Sequence, residues 1–307
     1  MQSLKRVDLR ALFSAIAATC ALVLNTTTAN AVEIIVTVEN ISPADGVQIT
    51  PVWVGLHSGS FDSYNGGLGA QPGLEALAED GNTGVISTQF NDFDPVDGGY
   101  TYVDPNGPAN ALVRTGDLTD EFRQDATLVS NATAPPLAPG ETASAQFTLR
   151  TDGSNRFLSY ATMILPTNDF FLANGDPEAH DLMSLYDGEG EISFFIGSPG
   201  TANDAGTEEE DFIFSAANGL FPGRGLPPGQ GGPNSGPADA TTTIENIVGD
   251  PFAGFLNADG VDLSGLNFNE YTGGGIARVT VTVIPEPASV LLLSLGLIAG
   301  AARTRQV

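Results

Sequence analysis

The chain has 307 residues, and its 37 acidic residues against 11 basic ones give a formal net charge of −26. A surface this negative repels phosphate backbones, which disfavours nucleic acid as a partner, and it attracts divalent cations. Cys20 is the single cysteine, and it lies in a segment that we expect to be removed. The remaining chain would have no disulfide and no cysteine metal site, so its stability must come from the core or from a hard metal ion.

The N-terminus has the three parts of a secretion signal in the right order. A basic region at residues 5–10 precedes a mostly apolar stretch at residues 11–24, and residues 29–31 read Ala-Asn-Ala, a small-x-small cleavage site. The apolar run is interrupted and too short to span a bilayer well; the alternative is a buried N-terminal helix. We therefore predict a signal peptide over residues 1–31, with Val32 as the first residue of the exported chain.

The middle of the chain alternates between apolar and polar residues, which is the period of a half-buried strand. This alternation predicts strands at residues 33–40, 50–57, 143–150, 157–165, 191–196, 211–214 and 276–283. The run at residues 157–165 is mostly apolar, which suits a central strand. The first and last strands both resemble core strands, so we predict a single domain over residues 32–284.

One segment has the pattern of a helix. Residues 72–79 begin with Pro and continue with Leu, Ala and Glu, and Asp80-Gly81-Asn82 ends the pattern. The loops are rich in Gly, Pro, Asn and Asp, and residues 221–238 are predicted to be a flexible surface excursion. Strands with few helices predict an all-β fold, an antiparallel β-sandwich with long loops.

The C-terminus is also organised in three parts. Pro285, Glu286 and Pro287 are followed by an apolar run over residues 290–302 and then by basic residues at the extreme end. This arrangement closely resembles the PEP-CTERM sorting signal, and the resemblance covers residues 284–307. The three parts together are specific, whereas a Pro-Glu-Pro motif alone would be a weak signal.

The resemblance to this signal implies a partner and a location. Such tails are recognised by an exosortase in Gram-negative bacteria that make extracellular polymer. The basic end would stay cytoplasmic by the positive-inside rule, so the short helix predicted within residues 285–307 would contact the inner membrane transiently. The domain would then face outward, at the outer cell surface or in the medium. The alternative is a plain C-terminal membrane anchor, which leaves the domain on the same side.

Four segments of the middle carry a further pattern. They are residues 36–40 leading to 50–59 (Val-Thr-Val-Glu-Asn, then Thr-Pro-Val-Trp-Val-Gly-Leu-His-Ser-Gly), 73–81 (Gly-Leu-Glu-Ala-Leu-Ala-Glu-Asp-Gly), 159–171 (Ser-Tyr-Ala-Thr-Met-Ile-Leu-Pro-Thr-Asn-Asp-Phe-Phe) and 203–208 (Asn-Asp-Ala-Gly-Thr-Glu). Together and in this order they resemble the spondin domain, the N-terminal module of F-spondin and mindin, which also occurs alone in bacterial secreted proteins. The resemblance spans roughly residues 34–283.

This second resemblance implies a C2-like antiparallel β-sandwich that binds Ca²⁺. In the matching motifs the calcium-binding acids fall on Asp169, Asp204 and Glu208. A further family ligand is a Glu on the strand before the third motif, where residues 146–152 of this chain contain no Glu. Asp152 or a water molecule is the substitute that the resemblance leaves for that ligand.

The residues alone also suggest a cation site. Calcium takes six to eight hard oxygens, and Asp204 and Glu208 supply two carboxylates four residues apart around Gly206. Asp169 follows a strong strand, and three carboxylates in one apolar-framed cluster would repel each other without a cation.

A simpler interpretation of these acids is open. Asp204 would cap a turn and Asp169 would form an Asx-turn, with no metal involved. Asp176 and the acidic run at residues 208–211 are weaker metal candidates, since such a run is more often a solvated loop.

No catalytic constellation stands out. His57 and Ser58 are neighbours, but the chain has no Gly-x-Ser-x-Gly elbow, no His-Glu-x-x-His helix and no phosphate loop with Lys. We expect a structural role for His57 and an exposed position for His180. Paired carboxylates for glycoside hydrolysis are available in so acidic a chain, but nothing selects a pair.

Two hypotheses follow for the function. The first is a non-enzymatic, calcium-binding adhesion or matrix module that binds extracellular polysaccharide or a surface ligand. The alternative is a secreted hydrolase acting on extracellular polymer.

Overall fold

A computed structural model of the protein describes residues 31–44, 46–91, 122–130, 136–187, 189–197, 201–210, 239–254, 256, 262–268, 271 and 274–285. These residues form two antiparallel sheets that share one apolar core, with two α-helices packed against the second sheet. The predicted all-β antiparallel sandwich is therefore confirmed. The resemblance to the spondin domain stays a prediction.

The described residues include eleven strands. In order they are β1 (Ala31–Asn40), β2 (Gln48–Ile49), β3 (Val52–His57), β4 (Gln124–Leu128), β5 (Thr142–Arg150), β6 (Phe157–Leu165), β7 (Phe170–Ala173), β8 (Glu191–Ile196), β9 (Asn203–Asp204), β10 (Glu245–Asn246) and β11 (Ala277–Val283). The helices are α1 (Pro72–Asp80) and α2 (Thr83–Asn91).

The two sheets have different strand orders. The first sheet is β5-β1-β11-β8, and the second is β10-β9-β7-β6-β3-β4 with β2 pairing beside β6. β1 and β11 are neighbours at the centre of the first sheet, with Val38 opposite Val279. The first and last strands of the described chain thus close the sandwich against each other.

Period-two alternation decides which face of the first sheet is buried. On β1, Ile34, Val36 and Val38 are buried and point to the core, whereas Ile35 is 38% exposed on the outer face. Each fully buried aliphatic side chain contributes about 1.5–3 kcal/mol through the hydrophobic effect. β6 is buried at every residue, because the second sheet is covered on its outer side by the helices.

The helices pack on the second sheet through an aromatic cluster. Phe90 of α2 lies edge-on to Trp53 of β3, with ring centroids 5.2 Å apart. α1 ends at Gly81, whose φ of +64° is the left-handed conformation that glycine adopts without strain. The predicted helix at residues 72–79 is confirmed. α2 was not predicted, because its β-branched residues and Gly84 have low helix propensity and its packing against Trp53 is a tertiary effect.

The other differences concern short elements. The strong strands were predicted to within two residues at each end, whereas β2, β4, β7, β9 and β10 were not predicted. The strand predicted at residues 211–214 and the excursion predicted at 221–238 lie outside the described residues.

Asn40 provides a test of how the end of β1 is held. Its side chain is fully buried, and Nδ2 donates to the carbonyl oxygens of Val47 and Leu137, each at 3.0 Å. We expect Asn40→Ala to lower the free energy of unfolding by about 2–4 kcal/mol, because it removes the side-chain donor to the carbonyl oxygens of Val47 and Leu137 and the acceptor of the Ser42 amide. Urea denaturation measures this loss. Asn246→Ala, at an exposed position on β10, is the control, and equal effects of the two substitutions would contradict the account.

Candidate metal centre

The structure brings Asp169 and Asp204 together and places the backbone amide of Glu208 beside Asp169. Asp169 lies in the turn between β6 and β7, and Asp204 lies on β9, directly opposite Phe170 of β7. The backbone amide of Ala205 donates to the carbonyl oxygen of Asp169 at 3.2 Å, which fixes β9 beside that turn.

The carboxylate of Asp169 holds the loop that follows β9. Oδ2 of this fully buried residue accepts hydrogen bonds from Thr207 N (2.8 Å), Thr207 Oγ1 (3.1 Å) and Glu208 N (3.1 Å). Its second oxygen, Oδ1, is buried and has no hydrogen-bond partner among the described residues. Asp169 therefore does not form the local Asx-turn of the simpler interpretation, since its partners lie in a distant segment.

Asp204 fits both interpretations that the sequence left open, because it caps a turn and also lies beside another acid of the cluster. Its Oδ1 accepts a hydrogen bond from Gly206 N at 2.7 Å, so it does cap a turn. Gly206 has a φ of +66°, and a Cβ there would come within 2.4 Å of the carbonyl oxygen of Thr243. The tight loop that the sequence predicted around Gly206 thus depends on glycine, and it places Asp204 next to Asp169.

The described residues of the acidic run, 208–210, are not uniformly solvated, and Asp211 lies outside the described residues. Glu208 is buried and Glu209 is exposed. Glu210 is half-buried, and its Oε1 accepts hydrogen bonds from the amides of Asn168 (2.7 Å) and Asp169 (3.2 Å). The interpretation of this run as a solvated loop is therefore wrong for Glu208 and Glu210.

Two further acids reach the cluster from a later part of the chain. The backbone amide of Asp239 approaches Thr207 O at 3.4 Å, and Glu245 of β10 pairs with Asp204. The negative charges of both raise the pKa of Asp204. No local sequence signal connects these residues with Asp204, because the contact depends on how the chain returns after the Gly- and Pro-rich segment.

Burial and mutual repulsion make the cluster costly to ionise. Burial and the charge of Asp169 raise the pKa of Asp204 to about 7. Burial also raises the pKa of Asp169, against the lowering effect of its bonds from Glu208 and Thr207. The pKa of Glu210 is well above its usual range, again because of burial and then because of Asp169. A cation among these carboxylates would remove this penalty.

The described arginines are engaged elsewhere. Their contacts are those of Arg123 with the carbonyl oxygen of Phe90, Arg150 with Asp152, Arg156 with Asp181 and Arg278 with Glu39. None of them contributes to the pKa values of Asp169, Asp204 and Glu210. Within the described ranges, the cluster therefore has no basic side chain to balance it.

Asp152 is not brought into the cluster. It lies in the turn before β6, whereas Asp169 lies beyond the other end of that strand. Nine residues at about 3.3 Å each separate the two ends by roughly 30 Å. Asp152 is exposed, and its hydrogen bond from Arg150 holds its pKa below the usual range. The structure thus places this proposed substitute ligand away from Asp169, and the sequence did not show which end of the strand it would occupy.

The donor set suits a hard cation in its chemistry. It consists of carboxylate oxygens, including the orphaned Asp169 Oδ1. As the side chains stand, no three His, Cys, Asp or Glu residues of the described chain are arranged to hold a metal ion. Several of their oxygens accept backbone hydrogen bonds instead, so binding would require carboxylates to turn toward the ion.

His57 is placed as a structural group. Its Nδ1 accepts from Gly59 N at 3.0 Å, so the proton lies on Nε2, which is 2.9 Å from Ser159 Oγ. In this tautomer the ring donates to Ser159 and cannot take its proton. His180 is half-buried rather than exposed: it stacks on Phe194 at 3.7 Å, and burial lowers its pKa to about 4.

A polar cleft of about 530 Å³ lies near β4, at the edge of the second sheet opposite β9 and β10. Its lining residues are Glu33, Asn91, Arg123, Gln124, Asp125, Gln146, Phe147 and Thr148. Asp125 accepts hydrogen bonds from Trp53 Nε1 and Asn91 Nδ2, both at 2.9 Å. Glu33 accepts from Thr148 Oγ1 at 2.8 Å. These carboxylates link neighbouring elements through hydrogen bonds.

Comparison with known proteins finds a match at the C-terminus. The family described as the PEP-CTERM protein-sorting motif matches residues 283–306, which confirms the predicted sorting signal. The match indicates an exported protein that an exosortase sorts to the cell surface. No curated protein matches the chain.

Most of the sorting segment lies outside the described residues. Pro285 is described, whereas Glu286, Pro287 and the apolar run that follows lie outside the described residues. Among the helices that are described, none is long and apolar enough to cross a membrane.

The raised pKa of Asp204 predicts a pH dependence of stability in the presence of a chelator. Its folded pKa of about 7 lies above the ordinary value of 3.8, so the stability it contributes is complete below pH 3.8 and is lost as the pH rises through 7. Between roughly pH 4 and 8, we expect the stability of Asp204→Asn to rise progressively relative to that of the wild type. Thermal melts across this range measure the difference. Asp187→Asn, at an exposed position outside the cluster, is the control, and a constant difference between Asp204→Asn and the wild type would contradict the account.

Proposed function

We propose that this protein is an exported, non-enzymatic β-sandwich module that binds calcium at Asp169, Asp204 and Glu208 and acts in adhesion or in the extracellular matrix. The observation that supports it most is the buried Asp169 carboxylate, which has one oxygen without a hydrogen-bond partner and, among the described residues, only like-charged ionisable neighbours. Calcium is the cation of choice because the donors are hard oxygens without sulfur or imidazole.

Calcium would act here on stability rather than on chemistry. Asp169 and Glu210 connect the turn after β6 with the loop after β9 through hydrogen bonds. A cation among these acids would neutralise the repulsion between the two segments and fasten them together. Extracellular calcium modules commonly work with dissociation constants of about 10⁻⁴–10⁻³ M, which suits a protein outside the cell.

The sorting signal supports the place where such a module would act. We infer a Gram-negative host in which the C-terminal helix holds the chain transiently in the inner membrane until an exosortase processes it. The domain would then be released to the outer surface or into exopolysaccharide, where a polysaccharide or another surface ligand is its partner.

The alternative hydrolase has less support. A glycoside hydrolase needs two carboxylates in defined positions beside a substrate cleft. In the described chain, Glu33 and Asp125 line the polar cleft but accept structural hydrogen bonds. Turnover of the host's own exopolysaccharide, abolished by one carboxylate substitution, would favour the hydrolase over the binding module.

Calcium should stabilise the purified chain. We expect saturating Ca²⁺ to raise the melting temperature by roughly 5–10 °C over the value in chelator, because 100-fold excess over Kd contributes about 2.7 kcal/mol. Asp169→Asn should lose most of this shift while keeping an oxygen that can accept the bonds from Thr207 and Glu208. Differential scanning calorimetry measures both values.

The exposed Asp187→Asn is the matched control for this experiment and should respond to calcium like the wild type. A wild-type chain whose melting temperature is unaffected by Ca²⁺ would refute the calcium part of the proposal. If Asp169→Asn kept the full calcium-induced rise in melting temperature, calcium would bind at another site.

The sorting motif can be tested in the host. We expect Glu286→Ala to leave the chain in the inner-membrane fraction, because the motif residue that the exosortase reads is missing. Cell fractionation with detection of the β-sandwich domain measures the distribution, and Ser289→Ala is the control within the same segment. Normal surface delivery of Glu286→Ala would show that the apolar run and basic end suffice.

A further inference from the structure

The resemblance leaves one ligand of the proposed calcium site without a counterpart in this chain. The resemblance assigns a ligand to a Glu on the strand before the third motif, and in this chain that strand, β5, has none. β5 is an edge strand of the first sheet and contacts β4, whereas Asp204 lies on β9 toward the opposite edge of the second sheet. β5 therefore offers no carboxylate to the proposed site.

We propose that Glu210 supplies a carboxylate as a calcium ligand, an inference that rests on the calcium site proposed above. Glu210 follows Glu208 by two residues and reaches back to the turn that holds Asp169. Its Oε1 accepts from Asn168 N and Asp169 N, at 2.7 and 3.2 Å. The side-chain amide of Asn168 donates to the carbonyl oxygen of Glu209 at 2.8 Å, which fixes the backbone beside Glu210.

The second oxygen of Glu210 is what points to a cation. Oε2 is buried and has no hydrogen-bond partner within the described part of the chain, which is also true of Asp169 Oδ1. Leaving buried polar atoms of this kind unsatisfied is costly, and two such atoms in interacting carboxylates are more costly still. A calcium ion would satisfy both oxygens and offset both negative charges.

A proton is the competing explanation for the same geometry. Protonation of Glu210 would remove its charge, and burial and Asp169 favour the protonated form by raising its pKa. A protonated Glu210 would have no role in metal binding, and its replacement by Gln would leave the calcium affinity unchanged. The two explanations therefore differ in one measurable quantity.

Calcium titration calorimetry on the full chain distinguishes them. We expect Glu210→Gln to weaken calcium binding by about tenfold or more, since calcium affinity follows the number of charged ligands. Gln retains an Oε1 that can accept the bonds from Asn168 and Asp169, so the fold should persist, and a melt in chelator checks this. Glu209→Gln, at the exposed neighbouring position, should bind calcium like the wild type.

The outcomes separate this inference from the proposed function. If the wild type binds calcium and Glu210→Gln binds it equally well, Glu210 is not a ligand and the proposed site stands without it. If Glu209→Gln weakens binding as much as Glu210→Gln, the effect is general electrostatics and the inference fails. If the wild type binds no calcium, the proposed function fails and this inference with it.

Discussion

The arrangement around the turn between β6 and β7 depends on one buried carboxylate. Asp169 Oδ2 accepts three hydrogen bonds from Thr207 and Glu208, and these bonds position the loop that carries the neighbouring acids. The same contacts that stabilise the loop bring Asp204 and Glu210 near Asp169, where burial makes their charges expensive. Order in this part of the fold and electrostatic cost therefore have the same origin. A bound cation would leave the loop ordered and would offset the repulsion between the carboxylates.

The sequence predicted what depends on local pattern. β1, β5, β6 and β11 alternate with period two or are fully apolar, and their positions were predicted to within two residues. α1 has Pro at its start and Gly81 just after its end, the two strongest helix boundary signals. α2 has neither, and it is stabilised by the contact of Phe90 with Trp53, which only the tertiary structure creates.

The sequence also predicted part of the candidate site. Asp169, Asp204 and Glu208 were predicted as metal ligands, and the structure places Asp204 and the backbone amide of Glu208 beside Asp169. Asp152 was predicted and lies at the wrong end of β6, because a one-dimensional pattern does not tell which residues share an end of a sheet. Glu210 was a weaker metal candidate because an acidic run is more often solvated. Its burial and its bonds from the Asn168 and Asp169 amides distinguish it from exposed Glu209.

The sorting signal and the acidic cluster are consistent with one another. An exported chain meets calcium outside the cell, where a carboxylate cluster can be neutralised by a cation rather than by a basic partner. The described part of the chain places no Arg beside Asp169, and the only Lys of the chain, Lys5, lies in the predicted signal peptide. Metal binding would then couple folding of this region to arrival at the destination.

Metal analysis of the protein isolated from its host without chelators tests this account most directly. Elemental analysis after desalting should find about one calcium ion per chain, and Asp169→Asn isolated in the same way should contain little or none. A wild-type protein without calcium, or an Asp169→Asn protein with as much calcium as the wild type, would contradict the claim that the buried carboxylate cluster is a cation site.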